Sequence, residues 1–154
     1  MKASDPSYEN AGRVLLLVED NDQDILIMKS VLRHAGVRNP LHIVKDGDKA
    51  IDYLSANGRF ADRSRYPLPA IVFLDLKLPL MSGHEVLTWI RQREGFNSIV
   101  VVVLTGSDDP TDLRRAHRLG ANSYLVKPPT SDQLLEMARA FNWHWLECNS
   151  SANV

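Results

Sequence analysis

Polar side chains of the kinds that suit phosphoryl transfer follow four of the five short apolar runs in this 154-residue sequence. Glu19 and Asp20 follow the first run, Asp75 ends the third, Thr105 ends the fourth and Lys127 follows the fifth. Three carboxylates brought together repel one another, and a divalent cation that prefers oxygen ligands, such as Mg²⁺, relieves the repulsion. An aspartate in such a site can form an acyl phosphate, while hydroxyl and ammonium groups bind phosphoryl oxygens. These residues therefore predict a magnesium-dependent phosphoryl-transfer site, provided that the fold gathers the ends of the runs.

The elements that must gather these residues alternate regularly along the chain. Apolar runs predict strands at 13–18, 40–45, 70–75, 98–106 and 122–127. Amphipathic stretches predict helices at 21–36, 46–57, 83–94, 108–120 and 130–147, and the basic, proline-containing stretch 59–70 predicts a loop. Such alternation favours an α/β fold, in which a doubly wound parallel sheet carries helices on both faces. Ligands of these sheets bind at the carboxyl ends of the strands, where the polar side chains stand.

Composition narrows the class of protein. The length and the 44% hydrophobic content fit one domain, for which we expect a flexible segment at 1–12, a folded domain at 13–147 and a tail at 148–154. The 18 basic and 19 acidic side chains argue against a nucleic-acid partner. A polar start, a single cysteine (Cys148) and apolar runs far shorter than the ~18 residues of a membrane span predict a cytoplasmic protein without a membrane partner.

Four sequence motifs at the strand ends resemble those of response-regulator receiver domains of two-component signalling. They are "LLLVEDN", "VFLDLKLPLMSG", "VVLTGS" and "SYLVKPP", and they occur in the family's order at about its intervals over nearly the whole chain. The "LDLKLP" wording, the long loop before the third strand and "WLE" near the end are most similar to the small single-domain regulators of cyanobacterial phytochromes. The resemblance implies a flavodoxin-like fold with five parallel strands in the order 2-1-3-4-5.

The resemblance also implies a role for each residue of the predicted metal site. Asp75 would be the phosphorylated residue, and Asp20 would bind Mg²⁺ directly. Glu19 would act mainly through metal-bound water, and the backbone carbonyl of Lys77 would be the third protein ligand. The Lys77 side chain faces the mouth of the site in this interpretation, and its effect on the acyl phosphate stays open.

Three further residues acquire roles from the same resemblance. Thr105 and Lys127 would contact the phosphoryl group, and the Lys127–Pro128 peptide bond would be cis. Tyr124 matches the aromatic residue that turns inward when the threonine moves. Together these residues would convert phosphorylation into a change of the surface formed by the fourth helix, the fifth strand and the fifth helix.

The implied function is that of a stand-alone response regulator. A phytochrome-like histidine kinase would phosphorylate it, a second copy would bind it in a homodimer, and an unknown downstream protein would receive the signal. It would not be an enzyme, apart from phosphorylating itself with small donors and hydrolysing its own acyl phosphate. A pseudo-receiver that acts only as an interaction module stays open as an alternative. An aspartyl-phosphate phosphatase is less favoured because Lys77 stands where that class needs an acid.

The end of the chain predicts a long last helix. Leu134, Ala138, Phe141 and Trp145 recur at helical spacing and are expected to face the core. Trp143 would then lie on another face of this helix. An exposed tryptophan there would favour an interface with a partner.

Overall fold

A computed structural model of the chain describes residues 13–106 and 110–143. In these ranges strands and helices alternate as the sequence predicts. The strands are β1 (Leu15–Val18), β2 (Leu41–Val44), β3 (Ile71–Asp75), β4 (Val100–Thr105) and β5 (Ser123–Val126). The helices are α1 (Asp22–His34), α2 (Gly47–Ser55), α3 (Gly83–Gln92), α4 (Pro110–Arg118) and α5 (Ser131–Ala140).

The five strands form one parallel sheet in the order β2-β1-β3-β4-β5. The predicted α/β class and the strand order 2-1-3-4-5 are therefore confirmed. Strands β1 and β3 lie inside the sheet and are buried along their whole length, which explains their uninterrupted apolar sequences. Because all the strands run in one direction, their carboxyl ends form a single edge of the sheet.

Two hydrophobic clusters, one on each face, hold the sheet between the helices. Leu15, Leu17 and Phe73 pack with residues of α1 and α5. Leu16 and Val72, their neighbours along the strands, pack with residues of α2, α3 and α4. Side chains that alternate between two cores fix each strand against sliding, because a shift by one residue would exchange the faces. The strand ends are therefore rigid supports for functional groups.

Four of the helices have a side-chain cap at their N-terminus, just after the turn that connects them to the preceding strand. Asn21, Asp46, Ser82 and Thr130 each accept a hydrogen bond from a backbone N–H group in the first turn of the following helix. Thr130 and Gln133 form the reciprocal capping box that their spacing predicts. These caps define where each helix begins relative to the strand before it.

The last helix is shorter than predicted. It ends at Ala140 rather than continuing to residue 147. Asn142 has a φ of 54°, in the left-handed region, which takes the chain out of the helix. The backbone N–H of Trp143 then donates a hydrogen bond of 2.9 Å to the carbonyl of Ala138. This turn folds the chain back towards the sheet.

The turn reverses two predictions about aromatic side chains. Phe141, predicted to be in the core, is 45% exposed, and Trp143, predicted to be exposed, is only 7% exposed. Trp143 packs in the same cluster as Leu134, whose predicted burial is confirmed. The Phe141 ring stacks on the Trp143 ring at a centroid distance of 5.5 Å. Trp145 lies outside the described residues.

Smaller differences concern element boundaries. The strands are shorter than predicted by one to three residues at their ends. The stretch predicted as a loop contains the end of a 3-10 helix at Gly58–Phe60. Among the helices that the structure describes, none combines the length and apolar content that a membrane span requires.

Candidate functional site

Three carboxylates meet at the carboxyl edge of the sheet. Glu19 and Asp20 directly follow β1, and Asp75 is the last residue of the neighbouring strand β3. One oxygen from each carboxylate lies within 4.8 Å of the other two. Glu19 and Asp75 are buried, at 1% and 5% exposed, whereas Asp20 is open to solvent. The predicted convergence of these acids is therefore present in the fold.

Lys127 brings a positive charge into the same cluster from beyond β5. Its Nζ atom lies 2.6 Å from Glu19 Oε1, 2.9 Å from Asp24 Oδ2 and 3.1 Å from Asp75 Oδ2. An ammonium group has three N–H donors, so these three carboxylates together account for all of them. The Lys127 side chain is only 16% exposed. Its backbone N–H also donates to the Thr105 carbonyl at 2.7 Å, which fixes the lysine to the end of β4.

The cluster perturbs the titration of its most buried acid. Burial, followed by the hydrogen bond and the charge of Asp75, raises the pKa of Glu19 from 4.5 to about 7, against the opposing hydrogen bonds from Lys127 and from the Asn21 backbone. Burial by itself would lower the pKa of Lys127. Its hydrogen bonds to Glu19 and Asp24 and the charge of Asp75 outweigh burial and leave the pKa of Lys127 above its ordinary value.

This donor set suits a divalent cation. All the carboxylate ligands are oxygen atoms, which Mg²⁺ and Mn²⁺ prefer, and the exposed position of Asp20 leaves room for water ligands. After burial, the hydrogen bond and the negative charge of Asp75 add to the raised pKa of Glu19, and a bound cation would offset that charge. The residues present therefore fit the metal that the sequence predicts.

The turn after β3 orients the Asp75 carboxylate. The backbone N–H of Lys77 donates a hydrogen bond of 3.0 Å to Asp75 Oδ1. The backbone N–H of Gly83 donates to the Leu76 carbonyl at 3.0 Å and closes the loop. A Cβ atom on Gly83 would overlap the Asp75 carbonyl oxygen and lie 2.7 Å from the Leu76 Cα atom. Glycine is therefore required there for α3 to start beside the strand end.

Leu80 occupies an unusual position in this loop. Its φ is 70°, and the Met81 N–H donates a hydrogen bond of 2.7 Å to the Pro79 carbonyl across it, which makes a strained γ-turn. The Leu80 side chain is 88% exposed. A β-carbon in this region of backbone conformation costs roughly 1–2 kcal/mol relative to the right-handed region. The loop beside Asp75 therefore holds local strain.

The remaining predicted site residues lie on the adjacent strands. Thr105 is the last residue of β4 and is 3% exposed. Tyr124 on β5 is 50% exposed and pairs with Val103. The Lys127–Pro128 peptide bond is cis, as the resemblance implies. The structure thus brings Glu19, Asp75 and Lys127 into direct contact, whereas Tyr124 lies on the outer part of the sheet.

Asp24 belongs to the site but is absent from the residues that the sequence motifs single out. It lies in the first turn of α1, where acids ordinarily serve the helix dipole. Side chains on a helix lean towards its N-terminus, which here is the carboxyl edge of the sheet. This lean towards the carboxyl edge is the feature of the sequence that could have indicated a role for Asp24. The contact with Lys127 also depends on how far the lysine side chain reaches across the sheet.

Comparisons with known proteins agree with this geometry. The family model of the response regulator receiver domain matches residues 15–139. The probable methanogenesis regulatory protein FilR2 of Methanothrix harundinacea is 38% identical over 90% of this chain and 86% of its own length. Response regulator Rcp1 of Synechocystis sp. is 35% identical over 90% of this chain and 92% of its own length.

Solved structures show the same likeness in three dimensions. The bacteriophytochrome response regulator RtBRR has a TM-score of 0.79 at 36% identity, covering 89% of this chain and 82% of that one. The Mn²⁺-bound form of Rcp1 has a TM-score of 0.70 at 35% identity, covering 88% and 95%. The phosphorylated cyanobacterial phytochrome response regulator RcpA has a TM-score of 0.72 at 32% identity, covering 88% and 94%. The chain therefore belongs to the response regulator receiver domain family, and its resemblance to phytochrome regulators is confirmed.

Proposed function

We propose that this chain is a phosphoacceptor response regulator that receives a phosphoryl group on Asp75 from a histidine kinase in a Mg²⁺-dependent reaction. The observation that carries the proposal is the bridge of the Lys127 ammonium between Asp75 on β3 and the buried acid Glu19 after β1. A buried nucleophilic carboxylate, a group of acids that suits a metal and a cation that can bind phosphate stand within contact distance. These are the parts that phosphoryl transfer requires.

The transfer step needs little more than orientation of Asp75. A carboxylate oxygen attacks the phosphorus of the donor's phosphohistidine, and the new C–O–P linkage forms while the P–N bond breaks. The electron pair of that bond returns to the imidazole ring, which leaves with the donor. The Lys77 N–H and the Lys127 ammonium each bind one Asp75 oxygen and keep the carboxylate oriented for attack. Later attack of water on phosphorus would regenerate Asp75, so we expect slow autodephosphorylation.

The proposed metal ligands are the Asp20 and Asp75 carboxylates and the Lys77 carbonyl, with Glu19 acting through water. When bound, Mg²⁺ supplies positive charge that neutralises the acids and the incoming phosphoryl oxygens. The surroundings of the two acids after β1 support these different roles, direct binding for Asp20 and binding through water for Glu19. Both Glu19 oxygens already accept hydrogen bonds, from Lys127 and from the Asn21 N–H, whereas Asp20 is exposed. The Mn²⁺-bound structure of Rcp1 also supports a divalent metal in a receiver of this kind.

We further propose that phosphorylation changes the surface of α4, β5 and α5 through Thr105 and Tyr124. The Thr105 hydroxyl would move towards the phosphoryl group, and the Tyr124 ring would follow inward. Two observations support this coupling between phosphorylation and the surface. Tyr124 is half exposed, and the Lys127 N–H donates a hydrogen bond to the Thr105 carbonyl. Exposed aromatic area at Tyr124 and Phe141 makes this surface the proposed contact for a second copy of the chain and for a downstream protein.

The direct test is incubation of the full chain with acetyl phosphate and Mg²⁺, followed by intact-mass measurement. We expect wild-type protein to gain the mass of one phosphoryl group and Asp75→Asn to gain none. Asp62→Asn, which changes an exposed acid within the loop between α2 and β3, should be labelled like wild type. Chelation of Mg²⁺ should prevent labelling. Unlabelled wild-type protein, or equal labelling of Asp75→Asn, would contradict the proposal.

The class of kinase is tested separately by phosphotransfer profiling. Several autophosphorylated histidine kinases, phytochrome-type and others, would be mixed with the chain and the loss of kinase label followed over time. The similarity to bacteriophytochrome and cyanobacterial phytochrome regulators supports the expectation that phytochrome-type kinases transfer fastest. Faster transfer from an unrelated class of kinase would refute this part while leaving the acceptor role of Asp75 intact.

A further inference from the structure

Asp24 carries one of the three hydrogen bonds that hold the Lys127 ammonium. The distance from Nζ to Asp24 Oδ2 is 2.9 Å, shorter than the 3.1 Å to Asp75 Oδ2. The side chains are 16% exposed in Lys127 and 32% exposed in Asp24, so the pair is partly shielded from water. Charge-assisted hydrogen bonds in such surroundings are stronger than those between exposed pairs. Asp24 therefore contributes to where the ammonium sits.

The position of the ammonium matters because it lies among the carboxylates that suit the metal. Glu19 and Asp75 face Lys127 and also belong to the acidic group whose oxygens converge. A lysine ammonium and a divalent cation are both attracted to those oxygens. Because the two cations repel each other, an ammonium that lies close to the oxygens weakens the binding of the metal there. Asp24 contributes no oxygen to the converging group but binds the same ammonium. It draws positive charge towards α1, away from the Asp75 carboxylate.

We propose that Asp24 is a positioning residue that holds the Lys127 ammonium towards α1 and so keeps the Glu19 and Asp75 carboxylates available to the metal and the phosphoryl group. This inference rests on the proposed function and deepens it. Loss of the Asp24 charge lets Lys127 settle fully on Glu19 and Asp75. The ammonium then occupies the oxygens that a divalent cation needs.

Asp22 provides a matched control within the same helical turn. It carries the same charge and also forms an ion pair, but its partner is Lys45, at 2.6 Å, with side chains 80% and 59% exposed. Removing the Asp22 charge therefore alters the general electrostatic field near the site while leaving the Lys127 hydrogen bonds intact. A difference between changes at Asp24 and at Asp22 isolates the contact with Lys127.

The first measurement is the affinity of the full chain for Mn²⁺, with the EPR signal of the free ion used to monitor binding. Asp24→Asn should weaken binding by about tenfold, the factor that 1.4 kcal/mol of lost interaction produces. Asp22→Asn should weaken it by less than about twofold, as expected for an exposed charge screened by salt. Asp24→Glu keeps a carboxylate within reach of Lys127 and should restore binding to near wild type. Equal weakening by Asp24→Asn and Asp22→Asn would overturn the inference.

The second measurement needs no metal and separates this inference from the proposed function. In metal-free protein, NMR of ¹⁵N-labelled lysine side chains reports the exchange of the Lys127 ammonium protons with water. We expect this exchange to be faster in Asp24→Asn and unchanged in Asp22→Asn. An unaltered Lys127 signal in Asp24→Asn would overturn the positioning role even if Asp75 is phosphorylated normally. Failure of wild-type protein to bind Mn²⁺ would instead overturn the proposed metal site, and with it the consequence drawn here for the metal.

Discussion

The carboxyl edge of the sheet and the region around the start of β2 both bury polar side chains, and they balance them in opposite ways. At the carboxyl edge the carboxylates of Glu19, Asp24 and Asp75 surround the Lys127 ammonium, so negative charge exceeds positive charge. The pKa of Glu19 is raised to about 7 chiefly by burial, and the hydrogen bond and charge of Asp75 add to the shift. A bound divalent cation would offset the excess negative charge here.

Around the start of β2, polar atoms are satisfied by the protein itself. The Tyr53 hydroxyl donates to the Pro67 carbonyl at 2.9 Å and lies 2.9 Å from His42 Nδ1. The rings of His42, Tyr53, Phe60 and Tyr66 contact one another with centroids 5.2 to 5.8 Å apart. Edge-on and tilted ring contacts of this kind add to the stability gained from burial. We call these four residues the aromatic cluster.

The contrast separates residues that serve function from residues that serve stability. A site that binds charged ligands must leave some of its own charge unbalanced, and the unbound protein is less stable for it. The aromatic cluster has no such requirement, and each buried polar atom can find a partner. Changes in the two regions should therefore affect stability and phosphorylation in different combinations.

The largest effect is expected from Gly83→Ala, which changes a residue packed against the backbone of Asp75. The new Cβ would overlap the Asp75 carbonyl oxygen, so either β3 or α3 must move. We expect a loss of about 2–4 kcal/mol in the free energy of unfolding, together with reduced phosphorylation. Gly106→Ala is the control, because a Cβ there meets no atom of the described residues within 4 Å. Urea denaturation of both variants tests this, and equal stabilities would refute the close packing of Gly83.

Tyr53→Phe should affect stability alone. It removes the hydroxyl that bonds to the Pro67 carbonyl and to His42, which should lower the free energy of unfolding by about 1–2 kcal/mol. Labelling of Asp75 by acetyl phosphate should be unchanged. Tyr124→Phe, in which the ring is half exposed, should leave stability unchanged and serves as the control. A labelling defect in Tyr53→Phe would show that the two regions are coupled.

Asp75→Asn should do the reverse, abolishing phosphorylation while stabilising the metal-free protein. It removes one carboxylate from a cluster in which acids outnumber the ammonium, and Lys127 keeps Glu19 and Asp24 as partners. We expect a gain of about 1 kcal/mol in the free energy of unfolding with a chelator present. The gain should shrink when Mg²⁺ is added to both proteins. A less stable Asp75→Asn protein would contradict the interpretation of the site as overcharged.

The two regions should also respond to pH with opposite signs. The pKa of Glu19 is about 7 in the folded state against 4.5 ordinarily, so its contribution to stability is complete below pH 4.5 and is lost as the pH rises to about 7. Burial lowers the pKa of His42 below its ordinary 6.5, so its contribution is present above that value and is lost as the pH falls through the folded-state pKa.

Denaturation across this pH range, with a chelator present, tests both signs. Glu19→Gln should remove the loss on the alkaline side, and His42→Gln should remove the loss on the acid side. His34→Gln, at an exposed histidine of α1, is the matched control for the loss of a histidine side chain. Profiles of Glu19→Gln and wild type that run parallel from pH 4.5 to 7 would argue against the raised pKa of Glu19.

The smallest effect is expected from Leu80→Gly in the loop beside Asp75. Glycine adopts the positive φ of 70° without strain, but it gains more freedom in the unfolded chain. The two contributions partly cancel, so we expect a net stabilisation of about 0.5 kcal/mol. Leu26→Gly, at an exposed leucine inside α1, should be destabilising instead and is the matched control. Destabilisation of Leu80→Gly would mean that the leucine side chain makes a stabilising contact.

Much of the site follows from the sequence because topology places it. Glu19, Asp75 and Thr105 come at or just after the ends of parallel strands, and parallel strands end at one edge wherever they stand in the order. Their convergence requires that the apolar runs be recognised as strands and that β1, β3 and β4 lie side by side, as they do in the strand order that the resemblance implies. Asp24 could not be predicted in this way, because its role depends on a contact with Lys127 across the sheet.

The aromatic residues at the end of the chain illustrate a different limit. Helical periodicity placed Phe141 in the core and Trp143 outside, which would hold if the helix continued. Asn142 ends the helix by adopting a positive φ. As a result Phe141 is exposed and Trp143 is buried. Asparagine is one of the few residues that adopt this conformation readily, but the sequence does not reveal where it does so.

The central claim is that Asp75 is the residue that receives the phosphoryl group, and borohydride trapping tests it most directly. The 154-residue chain would be treated with acetyl phosphate and Mg²⁺ and reduced with sodium borohydride, which converts an aspartyl phosphate to homoserine. Its peptides would then be mapped by mass spectrometry. The account predicts homoserine at position 75, and none when Mg²⁺ is chelated. Homoserine at another aspartate, or none at all in the presence of Mg²⁺, would contradict it.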